Sequence, residues 1–260
     1  MKKIKVYIVT YNHEYSINAN LATLFASDIS NYNVEVNILN NHSNLSINEE
    51  FINKVNVLHN VTRPDFSRGH LSRNWNQAII NGFKDLLNPD CDIVLCSQDD
   101  TLWYHNCFET LVNIHEKYSF YTCTAGDGVC SYTPAAVINI GLWDERFCGI
   151  TFQEADYFLR AYLHNKTASS INDAAHYRVL NASLAIATRR NMKSRDGLEY
   201  IFDYTLNLFN LKWPNHHINW VHLMPTTINI PSAIPDFFLY PYFEKHVNIE
   251  NKNYLPITYR

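Results

Sequence analysis

The chain has 260 residues, 47 % of them apolar and 18 % charged, with a formal net charge of −4 at pH 7. This is enough for one large domain, or for one domain with an appended subdomain, and it supplies no global basic field for a nucleic-acid backbone. No run of about 18 apolar residues occurs, so no membrane-spanning helix is expected. The first residues pass from lysines straight into a strand-like pattern, with no long apolar stretch and no small-residue cleavage site. No signal peptide is therefore expected, and the expected location is the cytoplasm or the inner face of a membrane. The six cysteines, Cys91, Cys96, Cys107, Cys123, Cys130 and Cys148, form no CxxC pair. Reduced, buried thiols fit that pattern better than disulfides.

The first hundred residues alternate strand and helix signals. Residues 4–9 form a nearly continuous apolar run, as a buried parallel strand requires, and it ends in Thr10, Tyr11, Asn12 and His13. Ile17, Leu21, Leu24 and Phe25 recur at helical spacing. Val34, Val36 and Ile38 make a second strand, which stops in the turn-rich residues 40–44. Residues 55–58 are a short third strand. Leu71, Trp75, Ile79, Phe83 and Leu86 then line one helical stripe. Residues 92–96 form a fourth strand running into Ser97, Gln98, Asp99 and Asp100. This alternation predicts an α/β fold with a mostly parallel sheet. Ligands bind beyond the carboxyl ends of such strands, which here carry Tyr11, Asn40, Asn41, Asp99 and Asp100.

The second half is less regular. Residues 120–124 read as a strand and 134–140 as a short helix ending at Gly141. Residues 154–164 read as a helix with Ala155, Phe158, Leu159 and Tyr162 inward, and 198–211 as another, with Asp196 placed to cap it. After Trp213 the chain is rich in Pro and aromatic residues. That composition predicts an extended tail over residues 214–260, wrapped on the body or on a partner subunit.

Two adjacent carboxylates at a strand end stay ionised most cheaply when a cation sits between them and a phosphate. Asp99 and Asp100 are thus candidate ligands of a divalent metal, which acts as a Lewis acid toward a departing diphosphate. An Asp pair in this position also serves as an ordinary turn.

Further on stand Gly141-Leu142-Trp143-Asp144-Glu145-Arg146-Phe147 and Phe152-Gln153-Glu154-Ala155-Asp156-Tyr157-Phe158-Leu159-Arg160. These segments resemble the acceptor-side region of family-two-like GT-A glycosyltransferases, which carry "G-x-F-D-E-x-F" and then "E-D-x-D-x-x-x-R". Other segments follow in that family's order. Residues 6–12 resemble its first nucleotide-binding strand, and residues 38–44 its second. Residues 69–76 are similar to its Gly-rich turn and Arg/Asn helix. Gln98-Asp99-Asp100 stands where its Asp-x-Asp metal motif lies. Residues 172–176 resemble the segment supplying a histidine near the metal, and Leu211-Lys212-Trp213 resembles a Lys-Trp motif of related enzymes. The resemblance spans roughly residues 4–213. It departs from the pattern at Ser97, at Asn40 and Asn41, where acidic base-readers are usual, and at Gln153-Glu154, where Glu-Asp is usual.

The resemblance implies a GT-A (Rossmann-like) domain over residues 1–213, with a nucleotide-binding half at 1–100 and an acceptor-side half at 101–213. It implies transfer of a sugar from a nucleotide-diphosphate sugar to a glycan, lipid-linked glycan or other hydroxyl acceptor, with inversion. Thr10, Tyr11, Asn12, Asn40, Asn41, Arg68, Arg73, Asn74, Gln98 and Asp99 are then expected on the nucleotide. Asp99, Asp100 and His176 are expected on a Mn2+ or Mg2+ ion, and Trp143, Asp144 and Gln153 on the acceptor. Arg63, Arg68 and Arg73 have the forked geometry that suits diphosphate oxygens.

Two carboxylates compete as general base. Glu154 stands at the expected helix start, where the helix dipole favours an anion. Asp156 is four residues before Arg160 and can pair with it on one face. Glu154 is preferred, Asp156 is the second choice, and the Asp156–Arg160 pair is expected to be an exposed helix pair. Two other readings are open: a sugar-phosphate nucleotidyltransferase, against which Tyr11-Asn12-His13-Glu14 lacks a Gly-rich basic loop, and a non-catalytic carbohydrate- or partner-binding domain. The tail leaves room for a homo-oligomer.

Overall fold

The fold comes from a computed structural model that describes residues 1–11, 13–41, 45–60, 71–123, 127–147, 152–168, 185–187, 199–213, 217–219 and 224–227. The expected strands are present as β1 (Lys3–Thr10), β2 (Asn33–Asn40), β3 (Asn56–His59) and β4 (Ile93–Gln98). They alternate with α1 (Glu14–Phe25), the single turn α2 (Glu49–Ile52) and α3 (Leu71–Phe83). Beyond β4 come β5 (Thr101–Trp103), α4 (Cys107–His115), β6 (Phe120–Thr122), β7 (Val129–Tyr132) and α5 (Pro134–Ile140). The chain continues with α6 (Gln153–Ala168), β8 (Ala185–Ala187) and α7 (Glu199–Lys212), and two short strands, β9 (His217–Asn219) and β10 (Met224–Thr227), lie in the region expected as a C-terminal extension.

Six strands form one sheet in the order β3-β2-β1-β4-β7-β6. The first four are mutually parallel, while β7 runs antiparallel to both β4 and β6. The sheet is mixed and mostly parallel, as the sequence predicts. Alternate residues of the central strands feed two separate cores. Tyr7 and Val9 of β1 and Val94 and Cys96 of β4 pack with Trp75, Ile79 and Phe83 of α3 and with Tyr157 of α6. Ile4, Val6, Ile8, Ile93 and Leu95 face the other way, against Ile17 and Leu21 of α1 and Phe108 and Leu111 of α4. Gly82 lets α3 settle on β4, because a Cβ there would run into the Val94 side chain. Five cysteines (91, 96, 107, 123 and 130) are buried free thiols, and Cys148 lies outside the described residues.

α4 was not anticipated from the sequence, although Cys107, Phe108 and Leu111 are its buried stripe. It closes the sheet through His115. The Nδ1 of this ring faces the Tyr118 carbonyl at 2.7 Å, and its Nε2 lies 2.8 Å from Ser131 Oγ. A carbonyl can only accept, so Nδ1 carries the proton and Nε2 accepts from the serine hydroxyl. Burial pushes the imidazole down to about 4, against the opposing pull of the Tyr118 bond. In the unfolded chain the ring takes a proton near the usual value of about 6.5. The folded state therefore binds fewer protons between those values, and stability falls as pH drops from about 6.5 toward 4. Denaturant midpoints measured from pH 7.5 down to 4 should decline more steeply for the wild type than for His115→Gln. Parallel curves would show that this ring does not govern the window.

Candidate active site

The carboxyl pole of the parallel strands carries Thr10, Tyr11, Asn40, Asn41, Gln98 and Asp99, six of the residues expected on a nucleotide. Thr10 ends β1 with its hydroxyl buried, donating to Asp99 Oδ2 at 2.8 Å. Tyr11 follows it, half-buried. The Asn41 amide N–H donates to the Thr10 carbonyl at 3.0 Å, which joins the ends of β1 and β2. Asn40 is fully buried and its Nδ2 lies 3.1 Å from His59 Nδ1. Asn41 Oδ1 accepts from Asn60 Nδ2 at 3.2 Å, and Asn60 in turn bonds Gln77 of α3. This wall is thus made of neutral amides and one imidazole, groups able both to donate and to accept.

Asp99 and Asp100 occupy the tight turn between β4 and β5, and both are buried. Asn20 of α1 grips that turn from both sides. Its Nδ2 donates to the Gln98 carbonyl at 3.1 Å and its Oδ1 accepts from Trp103 Nε1 at 2.8 Å. A turn held this way keeps two like charges close together. Among the described residues no group of three or more His, Cys, Asp or Glu side chains could hold a metal. The donor set present is two carboxylates with hard oxygens. It fits a divalent ion that takes few protein ligands and fills its remaining positions with phosphate and water. His176, Asn12, Arg63 and Arg68 lie outside the described residues.

Sequence reading missed Asp127. This buried carboxylate precedes β7 and accepts from three other elements. Trp75 Nε1 of α3 donates to Oδ2 at 2.9 Å, and Gln153 Nε2 of α6 approaches the same oxygen at 3.4 Å. Gln98 Nε2 of β4 lies 3.4 Å from Oδ1. The residue ahead of Asp99 and the residue ahead of Glu154 therefore hold one common carboxylate. The local signal was a lone Asp beside glycine in residues 126–128, which reads as a turn.

Glu154 lies in the first turn of α6 and is buried. Phe152, just ahead of that helix, has φ 70°, a left-handed conformation costly for a bulky side chain. Its ring is buried against Phe209 of α7 at 5.5 Å between centroids, and that packing holds the bend from which α6 starts.

Asp156 is placed differently. Its Oδ2 accepts from Arg160 Nε at 3.1 Å, and its Oδ1 takes Trp213 Nε1 and Lys212 Nζ, both at 2.8 Å. Lys212 Nζ also sits 2.7 Å from Asp144 Oδ2, and Arg146 grips both oxygens of Asp144. The Asp156–Arg160 pair expected on an exposed helix face is thus buried, because α7 covers it. Burial alone would raise the Asp144 carboxyl. Lys212 and Arg146 overcome it and hold the group well below the usual carboxylate range.

Of the residues expected on the acceptor, Trp143 is fully buried. It stacks on Tyr157 at 4.4 Å and donates to Tyr132. Arg73 bonds Glu145 at 3.1 Å, which ties α3 to residues 143–145 together with Asn76. Asn74 is buried on α3. A cleft of about 520 Å³ lies elsewhere, at the amino ends of the strands beside Lys2, Lys3, Asp90 and Asp92. Its charges pair with one another, Asp90 with Lys3, Lys5 and Lys84 and Asp92 with Lys2.

This sheet order, mixed and mostly parallel with helices on both faces, is a GT-A-like α/β fold shared with solved structures of S. aureus TarS. No family model and no curated protein sequence matches the chain. A structure of S. aureus TarS 1-349 in complex with UDP-GlcNAc matches 85 % of this chain and 69 % of its own, at 15 % identity and TM-score 0.53. A longer S. aureus TarS structure matches 85 % of this chain at 14 % identity and TM-score 0.52. This chain spans 41 % of that longer protein. At these identities the likeness is one of fold. No helix among the described residues is long and apolar enough to cross a membrane.

Proposed function

We propose that this chain is a glycosyltransferase that moves a sugar from a nucleotide-diphosphate sugar to a hydroxyl acceptor with inversion, Glu154 serving as general base. The observation that supports it best is the join at Asp127, which brings the Asp99–Asp100 turn and the head of α6 to one pole of the sheet. In this reading the Glu154 carboxylate takes the proton of the acceptor hydroxyl. The acceptor oxygen forms a bond to the anomeric carbon from the face opposite the diphosphate. The carbon–oxygen bond to the diphosphate breaks, and the nucleoside diphosphate leaves with the electron pair. Thr10, Tyr11, Asn12, Asn40 and Asn41 hold the nucleoside; Arg68, Arg73, Asn74 and Gln98 hold its phosphates. Asp99 and Asp100, with His176, would hold Mn2+ or Mg2+, which supplies positive charge to the leaving diphosphate. Gln153, Trp143 and Asp144 belong to the acceptor side, the last two as its buried frame. Residues 1–213 are the catalytic unit in this reading, and 214–260 an extension packed on it or on a second copy.

A thermal-shift screen of nucleoside diphosphates and nucleotide sugars, with and without metal, tests the reading. A true donor at about 100 times its Kd adds about 2.7 kcal/mol. Asp99→Asn keeps an oxygen for the Thr10 hydroxyl, so the fold should persist. It should nevertheless weaken metal-dependent donor binding and lower turnover by about a hundredfold or more. Full activity of Asp99→Asn and Asp100→Asn in the presence of a chelator would remove the metal from the reading.

A further inference from the structure

We propose that Asp127 is a positioning residue that fixes the side-chain amides of Gln98 and Gln153 and thereby sets the Asp99–Asp100 turn against Glu154. What it positions rests on the glycosyltransferase reading above; the contacts themselves do not. The Asp127 oxygens accept from the Nε2 of both glutamines. Each glutamine therefore turns its Nε2 toward Asp127 and its Oε1 away. Trp75 Nε1, a donor with no alternative role, anchors the carboxylate at 2.9 Å and prevents it from rotating off. The Gln98 backbone is held as well, its N–H donating to the Gly128 carbonyl at 2.9 Å, one residue after Asp127.

The orientation has a chemical outcome. Gln153 is almost fully buried, and its Oε1 has no hydrogen-bond partner among the described residues. A buried carbonyl oxygen without a donor is costly. Standing one residue ahead of Glu154, it is an acceptor with its capacity for a donor unused among the described residues. Asp127 keeps this oxygen available by binding the nitrogen of the same amide. A bound sugar hydroxyl that donates to Gln153 Oε1 would be placed next to the proposed base. Asp127 itself touches no substrate in this arrangement.

Two variants separate positioning from folding. Asp127→Asn retains one oxygen for Trp75 and Gln153 and turns an N–H on Gln98, so Gln98 must flip. Asp127→Leu removes the acceptor from all three donors. The readouts are the side-chain amide signals of Gln98 and Gln153 in the 15N-labelled protein, the melting temperature, and kcat and KM for transfer. The Gln98 signals should move in Asp127→Asn, and both pairs should move in Asp127→Leu. Asp127→Asn should melt close to the wild type yet lose about tenfold in kcat and raise the donor KM, because the flipped Gln98 is one of the residues assigned to the donor phosphates. Asp127→Leu should lose about a hundredfold. Unmoved amide signals in Asp127→Asn, or moved signals with wild-type kcat, would overturn the proposal and leave the glycosyltransferase reading standing. If the wild type binds and turns over no nucleotide sugar, that reading fails instead, and the amide signals alone decide whether Asp127 holds the glutamines.

Discussion

Glu154→Gln is expected to fold, to bind donor and metal as the wild type does, and to lose transfer by about 10²–10⁴, the usual cost of removing a general base. The substitution is isosteric, and the residue sits in the first turn of α6, where an uncharged amide is tolerated with only a weakened dipole interaction. Asp156→Asn is expected to behave in the opposite way. Its carboxylate is enclosed by Arg160, Lys212 and Trp213, so its loss should appear in the melting curve first. Spacing alone suggests an exposed pair worth about 0.3–0.5 kcal/mol. Burial under α7 raises the expected cost toward the about 3–5 kcal/mol of a broken buried pair. Single-turnover transfer measured beside melting curves separates the two residues. An Asp156→Asn that is stable and inactive, with Glu154→Gln still active, would exchange their roles.

The largest expected loss of stability is for Lys212→Met. The Lys212 ammonium lies between Asp144 and Asp156, 2.7 and 2.8 Å from their oxygens. Methionine fills much of the same space and carries no charge. Two buried carboxylates would then share a site with Arg146 and Arg160 as the paired cations left among the described residues. Breaking a buried pair from one side costs about 3–5 kcal/mol, which for a chain of this size lowers Tm by about 10 °C. The pH dependence has a definite sign. In the wild type the depressed Asp144 carboxyl contributes stability that is complete above the ordinary carboxylate value of about 3.9 and is lost as pH falls through its lower folded value. Removing Lys212 removes that contribution. The deficit of Lys212→Met should therefore be largest near neutrality and shrink in acid, where protonation relieves the repulsion. Equal melting of wild type and variant at pH 7 would rule the bridge out as a stabilising element.

The first hundred residues were legible because their signals are local. Residues 4–9, apart from Lys5, and 93–96 are apolar runs long enough to be central strands, and the stripe from Leu71 to Phe83 is helical on inspection. α4 was missed because its buried positions, Cys107, Phe108 and Leu111, cover barely one helical repeat. Asp127 was missed for a topological reason. Parallel strands bring their last residues to the ligand pole, so a search of strand ends finds Thr10, Asn40 and Asp99. β7 is antiparallel to β4 and brings its first residues there, which no spacing rule reveals. The acceptor-side network shows the same limit. Asp156 and Arg160 are visible as a pair four apart, but Lys212, 68 residues after Asp144, becomes their neighbour only through the fold.

That separation along the chain orders the steps of folding. During synthesis the N-terminal elements emerge first, and a domain folds as a unit once its parts are available. β1 to β4 have all their sheet partners except β7 by residue 98. Asp144 and Asp156 have Arg146 and Arg160 close at hand, but must await the cation of Lys212 until α7 has emerged. A nascent chain that ends between Asp156 and Lys212 thus carries the four parallel strands, but Asp144 and Asp156 without the lysine that bridges them. Phe152 and Asp156, which flank Glu154, find their partners Phe209, Lys212 and Trp213 only when the end of α7 docks. The helix that carries the proposed base is thus tied to contacts supplied by Phe209 and Lys212 of a helix that follows it in the chain.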